Sequence, residues 1–153
     1  MKKFIASGFG VGILWEFLFN DKKGGGTLAS FLFALLIYFL DLNLFYLFLI
    51  FVGLIAIYYI VVDDKEAGDD PSWITLDEIC GMSLVTLVSQ ADLLPLISGF
   101  LIFRVSDILK KPNIVAEMEK YPGKIGVLYD DLAAGTMGLI SALIVNQVML
   151  ITL

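Results

Sequence analysis

Two pairs of adjacent carboxylates are the residues of this sequence best suited to chemistry. Asp77-Glu78 and Asp130-Asp131 each directly precede a long apolar run. The chain contains no histidine and one cysteine, so nitrogen and sulfur ligands are scarce. Carboxylate oxygens suit a hard cation such as Mg²⁺, which takes water and substrate phosphate as its other ligands. We therefore expect a Mg²⁺ site whose ligands are Asp77, Glu78, Asp130 and Asp131.

Each pair also has a purely structural explanation. Acidic residues at a helix start interact favourably with the helix dipole, which would account for Asp77 and Glu78. Asp131 would serve equally well as the N-cap of a helix beginning near Leu132. A structural role and a metal-binding role are compatible, so both stay open.

The segment Arg104–Lys111 brings cations close to a third acidic position. In a helix, Arg104, Asp107 and Lys111 would share one face, with Lys110 beside them. A helix end with internal ion pairs explains this pattern. Phosphate chemistry would use the same residues, with Arg104 as a planar clamp and Lys110 as a point charge on a phosphate. Asp107 would then position Arg104, ligate the metal or act as a nucleophile.

A glycine-rich stretch, Gly24-Gly25-Gly26-Thr27, leads directly into an apolar segment. Backbone N–H groups at a helix N-terminus attract anions, so Thr27 and its neighbours are candidates for phosphate binding. The stretch lacks the lysine of a P-loop. A linker followed by a Thr27 cap accounts for it equally well.

Several function classes are excluded by residues that the sequence lacks. Without histidine there is no phosphohistidine intermediate and no serine-histidine hydrolase. Cys80 is followed by no arginine of a cysteine-phosphatase loop, and no Asp-x-Asp-x-Thr run is present. The net charge of −6 argues against a nucleic-acid partner. Metal-assisted hydrolysis organised by carboxylates is what remains.

The elements that must position these residues are membrane helices. The chain is 59% hydrophobic, with a mean hydropathy of +0.90, which is far more apolar than a soluble domain of 153 residues. Polar segments over 63–72 and 104–131 interrupt the apolar sequence. The apolar segments are Leu28–Leu40, Leu44–Val62, Ile79–Phe103 and Leu132–Leu153. We expect a single all-α domain over residues 1–153, a polytopic membrane helix bundle with short or broken helices.

The topology depends on how the segment Ile79–Phe103 crosses the membrane. Asp92 and Pro95 interrupt it, so it forms either one broken span or a hairpin of two short helices. With a hairpin, and with Phe4–Phe19 re-entrant or interfacial, every Lys and Arg falls on one side. The positive-inside rule makes that side cytoplasmic. We favour the hairpin, with the N-terminal segment retained and the site loops facing the cytoplasm.

At these positions the sequence resembles the phosphatidylglycerophosphatase A family. The specific matches are Asp77-Glu78-Ile79-Cys80-Gly81-Met82, the segment 103–110 and the segment 126–135. Two glycine segments, 8–12 and 26–30, match less specifically. The sequence departs from the family after Lys110, where Lys111-Pro112-Asn113-Ile114 replaces Pro-x-Pro-Ile, and before Gly26, where the linking segment is longer and lacks proline.

The resemblance implies an enzyme of the cytoplasmic membrane that removes the terminal phosphate of phosphatidylglycerophosphate with Mg²⁺, giving phosphatidylglycerol. It gives importance to Asp77, Glu78, Arg104, Asp107, Lys110, Asp130 and Asp131. Of these, we expect Asp77, Arg104, Asp107 and Asp131 to be catalytic.

Two other functions remain open. A small ion-coupled transporter would use Asp41 and Asp92, although we expect both at loop tips rather than in the middle of the membrane. A noncatalytic assembly subunit would tolerate replacement of Asp77 or Asp131 by asparagine.

Overall fold

The computed structural model describes residues 1–19, 24–68, 71–88 and 92–152. Within these ranges the chain is helical and forms no strand, which confirms the expected all-α class. The helices are α1 (Lys2–Ala6), α2 (Val11–Phe19), α3 (Gly25–Leu40), α4 (Leu44–Val61), α5 (Asp64–Ala67), α6 (Leu76–Thr86), α7 (Leu93–Leu109), α8 (Asn113–Met118) and α9 (Lys124–Thr152).

The polar break Asp41-Leu42-Asn43 separates α3 from α4 as the sequence predicts. Asp41 adopts a left-handed conformation and its backbone N–H donates to Ile37 O at 3.2 Å, which ends α3. The Asn43 side chain then accepts a hydrogen bond from the Tyr46 backbone N–H and caps α4. The two apolar segments are therefore distinct helices.

Two helices begin earlier than their apolar runs suggest. The helix α9 begins at Lys124, just after Gly123, whose φ is +62°. The prediction that Asp131 caps a helix beginning near Leu132 is therefore wrong, since Asp130 and Asp131 lie inside α9. The helix α3 begins at Gly25, so Thr27 is neither in a linker nor a cap. The polar or glycine-rich first turns of these two helices precede the apolar residues, so hydropathy alone places both helix starts too late.

The helices α6 and α7 form an antiparallel pair, as the hairpin interpretation predicts. A Cβ added to Gly81 would lie 2.8 Å from the Phe103 ring, and one added to Gly99 would lie 2.3 Å from Val85. Later residues of α6 therefore contact earlier residues of α7, so the two helices run in opposite directions. Residues 89–91, which lie between these two helices in the sequence, are outside the described ranges.

The helix α9 packs most extensively against α7 and α6. A Cβ on Gly135 would lie 2.4 Å from Gly81 O, and one on Gly138 would lie 2.6 Å from Gly99 O. Backbone contacts of this kind hold helices together where lipid supplies no hydrophobic drive. The small residues at four-residue spacing, Ala134 and Gly138, are both buried on this helix, where they permit close packing.

The N-terminal segment packs on the loop that precedes α6. It divides into α1 and α2 at a turn where Gly8, Phe9 and Gly10 have positive φ. A Cβ on Gly12 would lie 2.5 Å from Trp73 O, so only glycine permits this approach. The Thr75 backbone N–H donates to Ala6 O at 3.1 Å. Gly8 and Gly12 therefore let the N-terminal segment approach Thr75 and Trp73 closely.

Two of the described helices, α4 and α9, are long and apolar enough to cross a membrane. Large apolar side chains cover the exposed surface of α4, including Phe45, Phe48 and Leu49. Burial inside the protein does not explain these side chains, whereas lipid contact does. The structure is that of a membrane-associated helical protein.

Candidate active site

Three helices bring the predicted acidic and basic residues to one end of the bundle. Asp77 and Glu78 lie in the first turn of α6, and Asp130 and Asp131 lie in the second turn of α9. Arg104 and Asp107 lie in the last turns of α7, with Lys110 at its C-cap. Since α6 and α9 begin where α7 ends, residues distant in sequence become neighbours.

Three carboxylates form a compact cluster. One oxygen atom of each of Asp77, Glu78 and Asp131 lies within 4.8 Å of the others. Asp77 is 3% exposed and Asp131 is 4% exposed. Glu78 Oε2 and Asp131 Oδ1 are buried and have no hydrogen-bond partner in the described part of the chain. Buried polar atoms are normally satisfied, so this arrangement requires a further partner.

The donor set of this cluster fits Mg²⁺. All three groups offer oxygen, the ligand type that Mg²⁺ prefers, and two of them have an oxygen atom still to be satisfied. Burial, together with the nearby Asp131 carboxylate, raises the pKa of Glu78 to about 8. A divalent cation would reverse that effect by stabilising the ionised carboxylates. The residues present therefore suit the metal predicted from the sequence.

Asp130 differs from the other three predicted ligands. Its carboxylate forms an ion pair with Lys110, and its Oδ1 accepts a hydrogen bond from the Asp131 backbone N–H at 2.8 Å. Asp130 therefore positions Lys110 and the turn that carries Asp131. Its role as a metal ligand stays a prediction.

Asp107 links the two cations predicted to bind phosphate. Its Oδ2 lies 3.0 Å from Arg104 Nη1, and its Oδ1 lies 3.2 Å from Lys110 Nζ. Burial alone would lower the pKa of Lys110, but the Asp130 and Asp107 carboxylates raise it above its usual value, so the amine stays charged. Arg104 is buried and its Nε has no hydrogen-bond partner among the described residues, which leaves a donor available to an anion.

Lys111 does not join this group. The helix α7 ends at Leu109, and Lys110 turns the chain with a left-handed conformation, so the face shared by Arg104 and Asp107 stops there. The prediction that Lys111 continues that face is wrong. The exposed Lys111 side chain lies outside the cavity described next.

The charged residues of the site line one cavity of about 1170 Å³. Arg104, Asp107 and Lys110 line it together with both carboxylate pairs, so seven of the eight predicted site residues meet in one place. Thr27 is the exception. It does not line the cavity, whereas its neighbour Gly26 does. A Cβ on Gly26 would lie 1.6 Å from Glu78 Oε1. The glycine-rich start of α3 therefore makes room for the Glu78 carboxylate, and phosphate binding by Thr27 stays a prediction.

The sequence did not predict that α2 forms part of the cavity wall. Glu16 lines the cavity and accepts a hydrogen bond from Ser72 Oγ, and the apolar residues Ile13 and Phe17 flank it on α2. A lone acidic residue inside an apolar segment was the available signal.

The residues that a transporter would use lie away from this cavity. Asp41 and Asp92 are both exposed, the first after α3 and the second at the N-cap of α7. Each lies at the far end of a helix whose other end reaches the site. Their positions fit loop tips, as expected from the sequence.

Comparison with known proteins agrees with the site. A family model described as Phosphatidylglycerophosphatase A matches residues 4–146, nearly the whole chain. A protein of Bacteroides thetaiotaomicron named "Putative phosphatidylinositol-3-phosphatase" is 38% identical over 76 residues. That match covers 48% of this chain and 47% of the relative, about half the length of each. No solved structure shows a significant match.

The family match confirms the resemblance predicted from the sequence, and with it the enzyme class at the level of the family. The family acts on a lipid phosphate, which agrees with a membrane-associated protein whose cavity pairs buried carboxylates with two cations. This chain belongs to the phosphatidylglycerophosphatase A family.

Proposed function

We propose that this protein is a Mg²⁺-dependent lipid phosphatase that hydrolyses the terminal phosphate monoester of phosphatidylglycerophosphate to phosphatidylglycerol. The observation that carries the proposal is the buried cluster of Asp77, Glu78 and Asp131 beside Arg104 and Lys110 in one cavity. A carboxylate cluster next to two cations suits a metal and a phosphate together. The family match supports the substrate.

Each charged residue has a distinct part in the proposed reaction. Asp77, Glu78 and Asp131 would hold Mg²⁺, which when bound supplies Lewis-acid polarisation of the phosphoryl group. Arg104 and Lys110 bind the phosphate oxygens and stabilise the charge that develops on them. Water adds to phosphorus, the bond to the lipid oxygen breaks, and that oxygen takes a proton. The products are inorganic phosphate and phosphatidylglycerol.

The contacts of Asp107 favour water over a carboxylate as the nucleophile. Both of its oxygens lie in ion pairs, one with Arg104 and one with Lys110. A carboxylate held in this way is stabilised as an anion and is a poorer nucleophile. Asp107 therefore orients the two cations that bind phosphate, and Asp130 adds a second contact to Lys110.

The placement of the basic residues supports a cytoplasmic site. Lys2, Lys3, Lys65 and Lys124 line a second cavity, and Lys3 lies 4.7 Å from the ring centroid of Trp73, which lines the first cavity. These lysines therefore lie at the same end of the molecule as the site. The positive-inside rule puts that end in the cytoplasm, in a multi-pass protein of the cytoplasmic membrane.

The test is phosphate release from phosphatidylglycerophosphate by purified protein in detergent, with and without Mg²⁺. Asp131→Asn should lower Mg²⁺-dependent kcat by about a hundredfold or more, because it weakens the metal site and its charge. The matched control is Asp41→Asn, an exposed aspartate at the other end of the bundle, which should keep the wild-type rate.

Three outcomes would contradict the proposal. Turnover unaffected by removal of Mg²⁺ would exclude the metal role, and full activity of Asp131→Asn would exclude the site. Faster turnover of phosphatidylinositol 3-phosphate than of phosphatidylglycerophosphate would replace the proposed substrate with the one in the relative's name.

A further inference from the structure

The helix α2 has one face toward the cavity. Ile13, Glu16 and Phe17 all line the cavity, and their spacing of three and four residues puts them on the same side of the helix. Glu16 is the only charged residue of α2, and Ser72 holds its carboxylate. The polar part of α2 therefore faces the site.

The remaining surface of α2 is apolar and exposed. Leu14, Leu18 and Phe19 are each more than half exposed. In a membrane-associated protein such a surface contacts lipid rather than water. The helix α2 therefore lies between the bilayer and the cavity.

Two exposed apolar side chains also line the cavity and so mark its rim. Phe17 is 84% exposed on α2, and Ile108 is 65% exposed on α7, directly after Asp107. Along the described ranges, α2 packs against α3, whereas α7 packs against α9, α6 and α3. Without extensive packing between them, α2 and the end of α7 border an open side of the cavity.

We infer that the lipid substrate reaches the site sideways from the bilayer, between α2 and the C-terminal end of α7. Phe17 and Ile108 would contact the glycerol backbone and the first acyl carbons of that lipid. The phosphate must reach Arg104 and Lys110 while the acyl chains stay in an apolar phase, because withdrawing them into water is unfavourable. An apolar rim continuous with a charged cavity meets both needs. This inference rests on the proposed function and adds to it the route of access.

The route is tested by placing a bulky group at the rim. Cys80 is fully buried, so Phe17→Cys introduces a uniquely accessible thiol. Modification of Phe17→Cys with pyrene maleimide should lower kcat/KM for phosphatidylglycerophosphate by about tenfold or more. The matched control is Phe39→Cys, a 74% exposed apolar position near the other end of α3, whose modification should leave the rate unchanged.

A second measurement does not depend on turnover. The lipid probe is a phosphonate analogue of phosphatidylglycerophosphate, in which CH₂ replaces the ester oxygen so that it is not cleaved. In phosphatidylcholine vesicles with Mg²⁺, this analogue should slow maleimide modification of Phe17→Cys and leave that of Phe39→Cys unaffected.

The outcomes separate this inference from the proposed function. A modified Phe17→Cys with full activity, or an unchanged modification rate with the analogue present, would overturn the lateral route. Absence of turnover in the unmodified wild-type protein would overturn the proposed function, and protection of Phe17→Cys would then still establish lipid access at this rim.

Discussion

At the scale of single residues, ion pairing distinguishes the proposed metal ligands from the carboxylates beside the proposed phosphate-binding cations. Asp77, Glu78 and Asp131 form a cluster of carboxylates, and the ion pairs among the described residues include neither Glu78 nor Asp131. Asp107 and Asp130 instead neutralise Arg104 and Lys110. The partners of these five carboxylates therefore indicate which of the two proposed roles each one has.

The pKa of Glu78 gives a prediction about stability without metal. Because that pKa rises from 4.5 to about 8 in the folded protein, the folded state binds more protons than the unfolded state between these values. The stability contributed by Glu78 is then complete below the unfolded pKa and is lost as pH rises through the folded pKa. In EDTA, Tm should therefore fall as pH increases across this window.

Differential scanning fluorimetry in detergent would measure this dependence. Glu78→Gln removes the titrating group and should flatten the curve, and Mg²⁺ should raise the wild-type Tm at high pH more than that of the variant. A wild-type Tm that rises with pH across the same window would contradict the burial of Glu78 beside the Asp131 carboxylate.

At the scale of the helices, the start of α3 is fitted to the Glu78 carboxylate. A Cβ at Gly26 would lie 1.6 Å from Glu78 Oε1, so any side chain there must displace the carboxylate. Gly26→Ala should lower Mg²⁺ affinity and turnover by about tenfold or more, because a small shift in a ligand is costly in a site of fixed geometry.

The matched control for this change is Gly53→Ala on α4. A Cβ at Gly53 would have no atom within 4 Å, so the substitution should leave Mg²⁺ affinity unchanged and stabilise the helix slightly. Mg²⁺ titration by calorimetry would compare the two variants. Equal affinities would show that Gly26 serves only the packing of α3.

At the scale of the whole molecule, the antiparallel pair of α6 and α7 predicts which loops share a side of the membrane. Asp41 and Asp92 should lie on the side opposite to Lys65 and the site. The reason is that α3 and α7 each run from one end of the bundle to the other.

Single cysteine variants would test this topology in intact cells, since the native Cys80 is buried. A membrane-impermeant maleimide should label Asp41→Cys and Asp92→Cys from outside, and should label Lys65→Cys only after permeabilisation. A single broken span would instead put the two charged segments on opposite sides, so labelling of Lys65→Cys and Lys120→Cys under different conditions would favour it over the hairpin.

The sequence by itself determined the membrane association, the helical class and the residue types that the candidate site contains. Its apolar content exceeds what a soluble chain of this length could bury, and its lack of histidine leaves oxygen ligands for a metal. The break at Asp41-Leu42-Asn43 was also predictable, because polar residues between apolar runs cannot stay in lipid. These properties depend on composition and local spacing.

Only the tertiary structure decided which carboxylates meet. Asp130 and Asp131 are adjacent in sequence, yet successive side chains of a helix point about 100° apart, so one joins Asp77 and Glu78 while the other pairs with Lys110. The role of Gly26 beside Glu78 and the position of α2 at the cavity likewise depend on packing between distant segments. Hydropathy does not report such contacts, because they arise from the directions in which helices cross and not from the composition of any one of them.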